Sequence, residues 1–452
     1  MLAGVPTALY TAPVVCPMTG PPLADAGVLV DEDRIVAIAS AAALAPEAQR
    51  VHHLPGVLLP GLVNAHAVVE HADAHRLAVP GPQHVWAEAV AGLTAGWEER
   101  RWRRSAHRGV QRLLRSGTTT VGDVVHRGPA VPATSRAGLG GDSFVAIDGV
   151  DRVESDAVLA ALERTLGLPA PGRRVGIAPL MPTAVGAGVA QSLAALAERR
   201  QAPLRIPAAW TQAEVLALWS AEGPLAERAR GQGLGFEWLE EGGAQLPPVR
   251  YLAQLGVLVP GSTLAHGVWV EANEADLLAR LGVGMVCCPR SDALLQAGEA
   301  PLERYATAGV QLALGTDSAA AAPDLDVLAE AAAWVELARA RGLAFWPSPV
   351  GPIGLEEAAV RLLTIDGARA MGWGAHAGLL EPGRRADLVV VDVATTPERA
   401  YRDVLEHGAG RQVLTLLGGV RRSRRGSAEE PWPDIDHELD GELDSAEREG
   451  RR

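Results

Sequence analysis

Eight short apolar runs alternate with helical segments through the middle of the chain, and this alternation narrows the choice of fold. The runs lie near residues 57–66, 118–125, 143–148, 174–179, 203–208, 262–266, 283–288 and 311–316. Helices are predicted at residues 83–115, 187–202, 211–230, 273–281, 323–342 and 355–372. Such alternation predicts βα units and a parallel sheet. The units show no sequence repeat, and no G-x-G-x-x-G motif follows the first run. We therefore predict an α/β fold with a closed (β/α)8 barrel rather than an open dinucleotide-binding sheet.

Short β-like runs also occur at both ends of the chain. Residues 27–30 and 34–38 flank an Asp-Glu-Asp turn and predict a hairpin, and residues 386–392 and 412–417 predict further strands. We predict that residues 1–55 and 374–425 together form one small β-sandwich domain around a barrel of residues 56–373. Residues 426–452 combine arginines with a run of acids and few apolar anchors, which predicts a disordered or loosely docked tail.

The composition excludes several classes of function. Lysine is absent, so the chain has no Schiff-base lysine, no P-loop lysine and no carboxylated lysine that bridges metals. The net charge of −13 argues against a nucleic-acid surface. No apolar run has the length of a membrane span. Two of the three cysteines are adjacent, which does not suit a disulfide framework. These features predict a cytoplasmic protein with neither nucleic acid nor membrane as a partner.

Three predicted strands end in side chains that can bind a metal or carry a proton, namely His66, His266 and Asp317. The carboxyl ends of barrel strands form the face that carries the active site. We therefore predict that these three side chains meet in one site. Further candidates at the same face are His71, His75, His126, Asp148 and Cys287. For these five we favour a simpler interpretation as loop polar groups and a core thiol, because a histidine near a pocket is commoner than a relocated ligand.

Six short motifs occur in the order in which the amidohydrolase superfamily carries them. They are Pro60-Gly61-Leu62-Val63-Asn64-Ala65-His66, Ser116-Gly117-Thr118-Thr119-Thr120-Val121-Gly122-Asp123, Leu264-Ala265-His266-Gly267, Cys288-Pro289-Arg290-Ser291, Leu314-Gly315-Thr316-Asp317-Ser318 and Leu380-Glu381-Pro382-Gly383-Arg384-Arg385-Ala386-Asp387-Leu388. The chain thus resembles that superfamily, in particular its branch of mononuclear-metal deaminases and chlorohydrolases. The resemblance is greatest to aminodeoxyfutalosine deaminase-like and adenosylhomocysteine deaminase-like proteins. It implies a TIM-type barrel and hydrolysis of a carbon–nitrogen bond in a purine-like or other heterocyclic amine.

The resemblance also assigns roles to positions at which this chain departs from the family. The family's first strand ends in His-x-His, and both histidines bind the metal. Here His66 keeps the first place and Val68 takes the second. The family's fifth strand supplies another histidine and, three residues later, a glutamate that shuttles protons. Pro207 and Trp210 stand at those two positions.

Two further positions match the family. His266 matches the histidine that contacts the activated water or the substrate, and Asp317 matches the aspartate that is both metal ligand and base. Of the four ligand positions only His66 and Asp317 remain, whereas catalytic zinc typically has three protein ligands. A missing proton shuttle alone costs roughly 10²–10⁴-fold in rate. We therefore predict a catalytically impaired homologue, a candidate pseudoenzyme, that retains a ligand pocket.

Two alternatives remain open at this point. One is an active hydrolase or deaminase with an altered metal site, and the other is a non-catalytic partner of an active paralogue. We expect no metal at full occupancy, and zinc or iron if the site is partly functional. We also expect a small-molecule ligand and association either with further copies of the chain or with a paralogue. The βα-loops, which set specificity in such barrels, do not reveal the substrate.

Overall fold

A computed structural model describes residues 7–432 of the protein. In chain order its strands are β1 Ala8–Val15, β2 Leu23–Asp31, β3 Arg34–Ser40, β4 Arg50–His53, β5 Val57–Pro60, β6 Leu62–Val68, β7 Thr118–Val125, β8 Gly140–Ile147, β9 Arg173–Pro179, β10 Arg205–Ala208, β11 Thr263–His266, β12 Gly284–Cys287, β13 Leu312–Leu314, β14 Asp317–Ser318, β15 Phe345–Trp346, β16 Ile353–Gly354, β17 Leu388–Val391, β18 Gln412–Leu417 and β19 Val420–Arg424.

Helices fill most of the connections between the strands. They are α1 Ala41–Leu44, α2 Gln83–Ala95, α3 Glu99–Arg115, α4 Ala130–Arg136, α5 Ser155–Leu166, α6 Ala187–Arg200, α7 Gln212–Ser220, α8 Pro224–Gly231, α9 Glu237–Glu240, α10 Pro248–Gln254, α11 Ala272–Leu281, α12 Pro289–Leu294, α13 Leu302–Ala308, α14 Val327–Ala340, α15 Leu355–Leu362, α16 Ile365–Ala370 and α17 Ala400–His407. Short 3₁₀ helices cover Ala45–Glu47, Val69–Leu77 and Pro397–Arg399.

The small domain is one sheet whose strands come from both ends of the chain. Its order is β19–β18–β17–β5–β1–β2–β3, with β4 beside β1. The two ends meet where β17 runs antiparallel to β5, with Val390 opposite Leu58. Apolar side chains from both ends, including Val28, Leu58 and Leu388, share one buried cluster beside this sheet. The prediction of a small β-domain assembled from both termini is confirmed.

Eight parallel strands, β6 to β13, form the barrel. One run of pairs joins β14, β6, β7, β8 and β9, and a second joins β10, β11, β12 and β13. A parallel bridge between Ile177 and Leu204 connects the two runs at β9 and β10. On the other side β14 continues the line of β13 and pairs with β6, with Asp317 opposite Ala67. The predicted barrel is confirmed.

The predicted strand at 57–66 is two strands that belong to different sheets. β5 pairs with β17 in the small domain, whereas β6 pairs with β7 in the barrel. The exchange of partners takes place at Gly61, whose N–H donates to the carbonyl of Asp387. A Cβ at Gly61 would lie 2.2 Å from the Thr119 hydroxyl, so only glycine fits where the chain crosses between the sheets.

Two contacts join β6 to the residues that directly follow β13, next to the candidate site. The Asn64 amide donates to the Thr316 hydroxyl at 2.7 Å, and its carbonyl accepts the Thr316 N–H at 3.2 Å. Gly315 lies against His66, and a Cβ there would lie 2.6 Å from the His66 Cβ. The first and last barrel strands therefore approach closely at the residues that precede His66 and Asp317.

The structure describes the beginning of the predicted tail and allows a search for membrane-spanning helices. Residues 426–432 follow β19, and the Trp432 ring lies under the guanidinium groups of Arg115 and Arg425, with 5.8 and 4.8 Å to the ring centroid. The rest of the predicted tail, residues 433–452, lies outside the described residues. Within residues 7–432 no helix has both the length and the apolar character needed to cross a bilayer.

Candidate functional site

His66, His266 and Asp317 converge at one end of the barrel. His66 lies in β6, His266 is the last residue of β11, and Asp317 is the first residue of β14. All three are buried, and one ligand atom from each lies within 4.8 Å of the other two. The His66 Nε2 is 3.9 Å from an Asp317 carboxylate oxygen. We call these residues the triad.

The backbone is strained at two of the three residues. His266 has φ 73° and Asp317 has φ 57°, which is the left-handed region that favours glycine. Such a conformation costs roughly 1–2 kcal/mol for an L-residue and tends to persist at functional sites. The fold therefore maintains these two strand ends in a conformation that their own side chains disfavour.

Hydrogen bonds orient His266 and leave one of its nitrogens without a partner. The His266 Nδ1 lies 2.8 Å from an Asp292 carboxylate oxygen, which can only accept, so Nδ1 carries the proton. The buried Nε2 then presents a lone pair, and it has no hydrogen-bonding partner among the described residues. The Trp210 ring stacks on the His266 ring with 3.6 Å between centroids and an interplanar angle of 10°.

Burial determines the protonation of the other two members. It lowers the pKa of His66 well below the ordinary value, and the nearby positive charges of His266 and Arg205 lower it further, so His66 is neutral. Burial also raises the pKa of Asp317, an effect that His266 partly offsets. The Ser291 hydroxyl donates to an Asp317 oxygen at 2.7 Å. A neutral His66 imidazole therefore faces the carboxyl group of Asp317.

These residues fit a divalent metal ion. Two imidazole nitrogens and one carboxylate make the three-ligand set typical of catalytic zinc, with a position left for water. The buried Nε2 of His266 and Nδ1 of His66 have no hydrogen-bonding partner among residues 7–432. Metal-binding histidines usually donate their second ring N–H to a carboxylate, and Asp292 accepts such a bond from His266. The structure places His266 beside His66 and Asp317, the two ligands that the sequence predicts.

The triad forms part of the wall of a cavity of about 380 Å³. Val68, Pro207 and Trp210, the three positions that depart from the family, also line it. The other lining residues are mainly apolar or aromatic, with a few polar groups, and include Gln83, His84, Trp86, Val90, Trp102, Leu180 and Met181. Volume and lining are both typical of a small-molecule site.

Three further predicted residues line the same cavity. Asp148 is half-exposed and lies 3.8 Å from Arg228, which also lines the cavity. His71 and His126 stack on each other, with 5.0 Å between ring centroids. Burial lowers the pKa of His71 well below its ordinary value, so this ring is neutral.

Two predicted candidates, His75 and Cys287, do not line the cavity. His75 lies in Val69–Leu77, a 3₁₀ helix with a kink at His71, and it does not share a face with His71 because residues four apart do not align at three residues per turn. The His75 Nδ1 lies 3.0 Å from the carbonyl oxygen of Ala72 instead. Cys287 packs in the main core with Met285, which shares its side of β12. Cys287 is therefore a core thiol.

Asp292 and Glu70 are the residues of the site that the sequence patterns missed. Asp292 directly follows the Cys288-Pro289-Arg290-Ser291 motif, so an extension of that motif by one residue would have included it. Glu70 lies two residues after Val68 and is completely buried. A charged residue directly after an apolar strand is the only local sign of it, and such residues are common in loops.

Comparisons with known proteins agree with this architecture. The model of the Amidohydrolase family matches residues 57–417. The chain is 31% identical to a 5-methylthioadenosine/S-adenosylhomocysteine deaminase from Halobacterium salinarum over 401 residues, which are 85% of this chain and 84% of the relative. It is 32% identical to an aminodeoxyfutalosine deaminase from Deinococcus radiodurans over 283 residues, 61% and 66% of the two chains. Among solved structures it resembles a zinc-bound adenosine deaminase from Xanthomonas campestris, with TM-score 0.76, 23% identity and 98% coverage of both chains.

Proposed function

The chain belongs to the amidohydrolase family, and on this basis we propose that it is a metal-dependent hydrolase that removes the exocyclic amino group of an adenosine-like compound. His66, His266 and Asp317 hold the metal. One observation carries the proposal, namely the convergence of these three residues around a buried His266 Nε2 that has no partner in the described part of the chain. Among the hypotheses from the sequence, this is the active hydrolase with an altered metal site.

Hydrolytic deamination replaces the bond between a ring carbon and the exocyclic amino nitrogen by a C–O bond whose oxygen comes from water, and ammonia leaves. When bound, a divalent metal supplies Lewis-acid activation of the attacking water. Asp317 takes the proton from that water and returns a proton to the leaving amine. Ser291 holds the carboxyl group of Asp317 in place through its hydroxyl. Asp292 fixes the tautomer of His266, so that a lone pair faces the site.

The cavity supports an aromatic, partly polar substrate. Trp86 and Trp102 offer large apolar surfaces, while Asp148 and Arg228 provide polar groups. Aromatic faces stack on flat heterocycles, and polar groups suit a sugar or its substituent. The relatives named above act on adenosine-like compounds, and the cavity volume of about 380 Å³ falls within the range of small-molecule sites.

The departures from the family pattern affect rate rather than reaction type. Val68 and Pro207 have no side-chain atom that could bind a metal, so His66, His266 and Asp317 would be the protein ligands that hold it. Trp210 cannot carry a proton and instead stacks on His266. Without a glutamate at this position, Asp317 must move both protons alone. We expect turnover roughly 10²–10⁴-fold below that of a homologue with the complete pattern.

The test combines metal content with activity. Protein purified without chelators is analysed for zinc and iron, and assayed for ammonia release from adenosine, 5-methylthioadenosine and S-adenosylhomocysteine. We expect metal-dependent release from at least one of them. His266→Asn and Asp317→Asn should each remove the metal of the triad and lower activity by at least about a hundredfold. His75→Asn, which changes a histidine outside the cavity, serves as the matched control.

The result that overturns the proposal is equally specific. If the wild-type chain carries metal at the triad and none of the three compounds releases ammonia, the chain is not a deaminase of this kind. If Asp317→Asn and His266→Asn leave metal content unchanged, the triad does not hold the metal. In either case the impaired homologue with a retained pocket becomes the better description.

A further inference from the structure

A second cluster of potential metal-binding side chains lies beside the same cavity, which two of its three members, His71 and His126, line. Glu70 and His71 lie in the 3₁₀ helix that follows β6, and His126 directly follows β7. One ligand atom from each lies within 4.8 Å of the other two. We propose that Glu70, His71 and His126 form a second divalent-cation site, separate from the triad. The inference does not rest on the proposed function, because none of its three residues belongs to the triad.

The strongest reason to propose a cation at this cluster is the environment of the Glu70 carboxylate. Its side chain is completely buried. One carboxylate oxygen accepts the N–H groups of His126 and Arg127 at 2.5 and 3.1 Å. The other oxygen, Oε2, is buried and has no hydrogen-bonding partner within residues 7–432. A buried carboxylate with an unsatisfied oxygen is costly unless a cation or a donor meets it. A bound cation beside Oε2 would remove that cost.

The two histidines are already oriented around this carboxylate. The Ser318 hydroxyl lies 3.3 Å from the His71 Nδ1 and fixes the ring of a fully buried residue. A contact at one ring nitrogen leaves the opposite nitrogen for a ligand bond. The His126 Nδ1 lies 3.4 Å from the bonded oxygen of Glu70, and about a quarter of its side chain is exposed. The cluster is thus rigid at His71 and accessible at His126.

The donor set indicates which cation would bind. Two imidazole nitrogens and one carboxylate oxygen suit zinc, cobalt, iron or nickel, whereas magnesium and calcium prefer oxygen ligands throughout. The alternative is that the three side chains only support one another through hydrogen bonds. That alternative does not account for the unpartnered oxygen of Glu70, whereas a transition-metal ion does.

The test counts metal ions on the full chain. Wild-type protein is titrated with Co²⁺, which is followed by visible absorption, and then with Zn²⁺, which is followed by equilibrium dialysis and elemental analysis. We expect two ions per wild-type chain. Glu70→Gln and His126→Asn should each weaken one of them by about 10–100-fold and remove its Co²⁺ absorption, because each removes a ligand. His75→Asn, from the same 3₁₀ helix, should bind like the wild type.

The outcomes separate this inference from the proposed function. If Glu70→Gln and His126→Asn bind as many ions as the wild type, the second site does not exist. If Asp317→Asn alone fails to change metal content, the second site stands and the proposed function falls. Because Glu70 is buried, near-ultraviolet circular dichroism is used to check that its variant is folded. His126 is partly exposed, and its variant keeps the test decisive.

Discussion

The positions of single atoms decide what the triad can do. Asn64 bonds to Thr316 through both ends of its amide, and this pair holds the strand of His66 beside the strand of Asp317. Asp292 and Trp210 then hold His266 from its edge and from its face. Together these contacts determine which atoms face the metal position.

Asp292 should control metal affinity without touching the metal. Asp292→Asn keeps the shape of the side chain but replaces a charged acceptor by an amide, so His266 is less firmly held in the tautomer that presents Nε2. We expect the affinity for Co²⁺ at the triad to fall by about 10–100-fold. Competition with a chromophoric chelator measures this. Asp324→Asn, at a half-exposed carboxylate that pairs with Arg290, should leave affinity unchanged, and an equal loss in both variants would contradict the role of Asp292.

Val68 offers a direct way to restore a ligand. It lines the cavity two residues after His66, at the position where the family has its second histidine. Val68→His should therefore raise metal affinity by at least about tenfold, since a further ligand joins an assembled set. Val68→Leu fills similar space without a donor and should not raise it. An identical affinity in the two variants would show that this position no longer faces the metal.

The sequence predicted the residues of the triad but not their supports. His66, His266 and Asp317 could be found because each ends a recognisable strand within a motif. Asp292, Ser291 and Glu70 act through contacts between distant segments, and short-range patterns carry no information on such contacts. The free Nε2 of His266, on which its proposed metal role depends, could not be predicted either, because it follows from the contact between His266 and Asp292.

At the level of elements, strands were easier to predict than the breaks between helices. The apolar runs of the barrel are short and buried, so their position in the sequence is clear. The predicted helix at 211–230 is in fact α7 and α8, separated where Ala221 and Gly223 both have positive φ and Pro224 begins the next helix. The expected single strand at 57–66 changes sheets at Gly61, which depends on the tertiary contact with Thr119.

Helix α14 carries a buried acid that should make stability depend on pH. Burial raises the pKa of Glu330 from 4.5 to about 8, although the Arg290 guanidinium lowers it. The folded chain thus binds this proton more tightly than the unfolded chain, so stability falls as pH rises from 4.5 to about 8 and is level above. Glu330→Gln removes this loss, which is on the order of a few kcal/mol.

The measurement for Glu330 is urea unfolding at about pH 5 and about pH 9. Glu330→Gln should gain stability over the wild type only at the higher pH. Glu336→Gln lies in the same helix, where the side chain is exposed, and it should follow the wild type at both values. A constant difference between Glu330→Gln and the wild type would show that Glu330 is ionised throughout.

At the level of the whole molecule, Asp326 connects the barrel to the small domain. It caps the N-terminus of α14 by accepting the Leu328 N–H, and it accepts the Gly410 N–H and the Gln412 amide across the boundary. Asp326→Ala should therefore lower the free energy of unfolding by about 2–4 kcal/mol, because the helix loses its cap and two N–H donors lose their acceptor. Thermal or urea unfolding measures this.

Asp324→Ala is the matched control for Asp326. Its carboxylate is half-exposed, pairs with Arg290 at the surface and accepts only one backbone N–H, that of Asp326, so the loss should be no more than about 1 kcal/mol. Similar losses in the two variants would contradict the connecting role of Asp326.

The pairing of β5 with β17 has a consequence for synthesis on the ribosome. β5 emerges early, but its partner β17 is made only after the entire barrel has left the exit tunnel. At roughly 5–20 residues per second the early strands wait for tens of seconds with an open edge. A product that stops within the barrel never closes that edge, and an unpaired strand attracts other chains. Only a chain that has been synthesised as far as β17 can therefore cover this edge of β5.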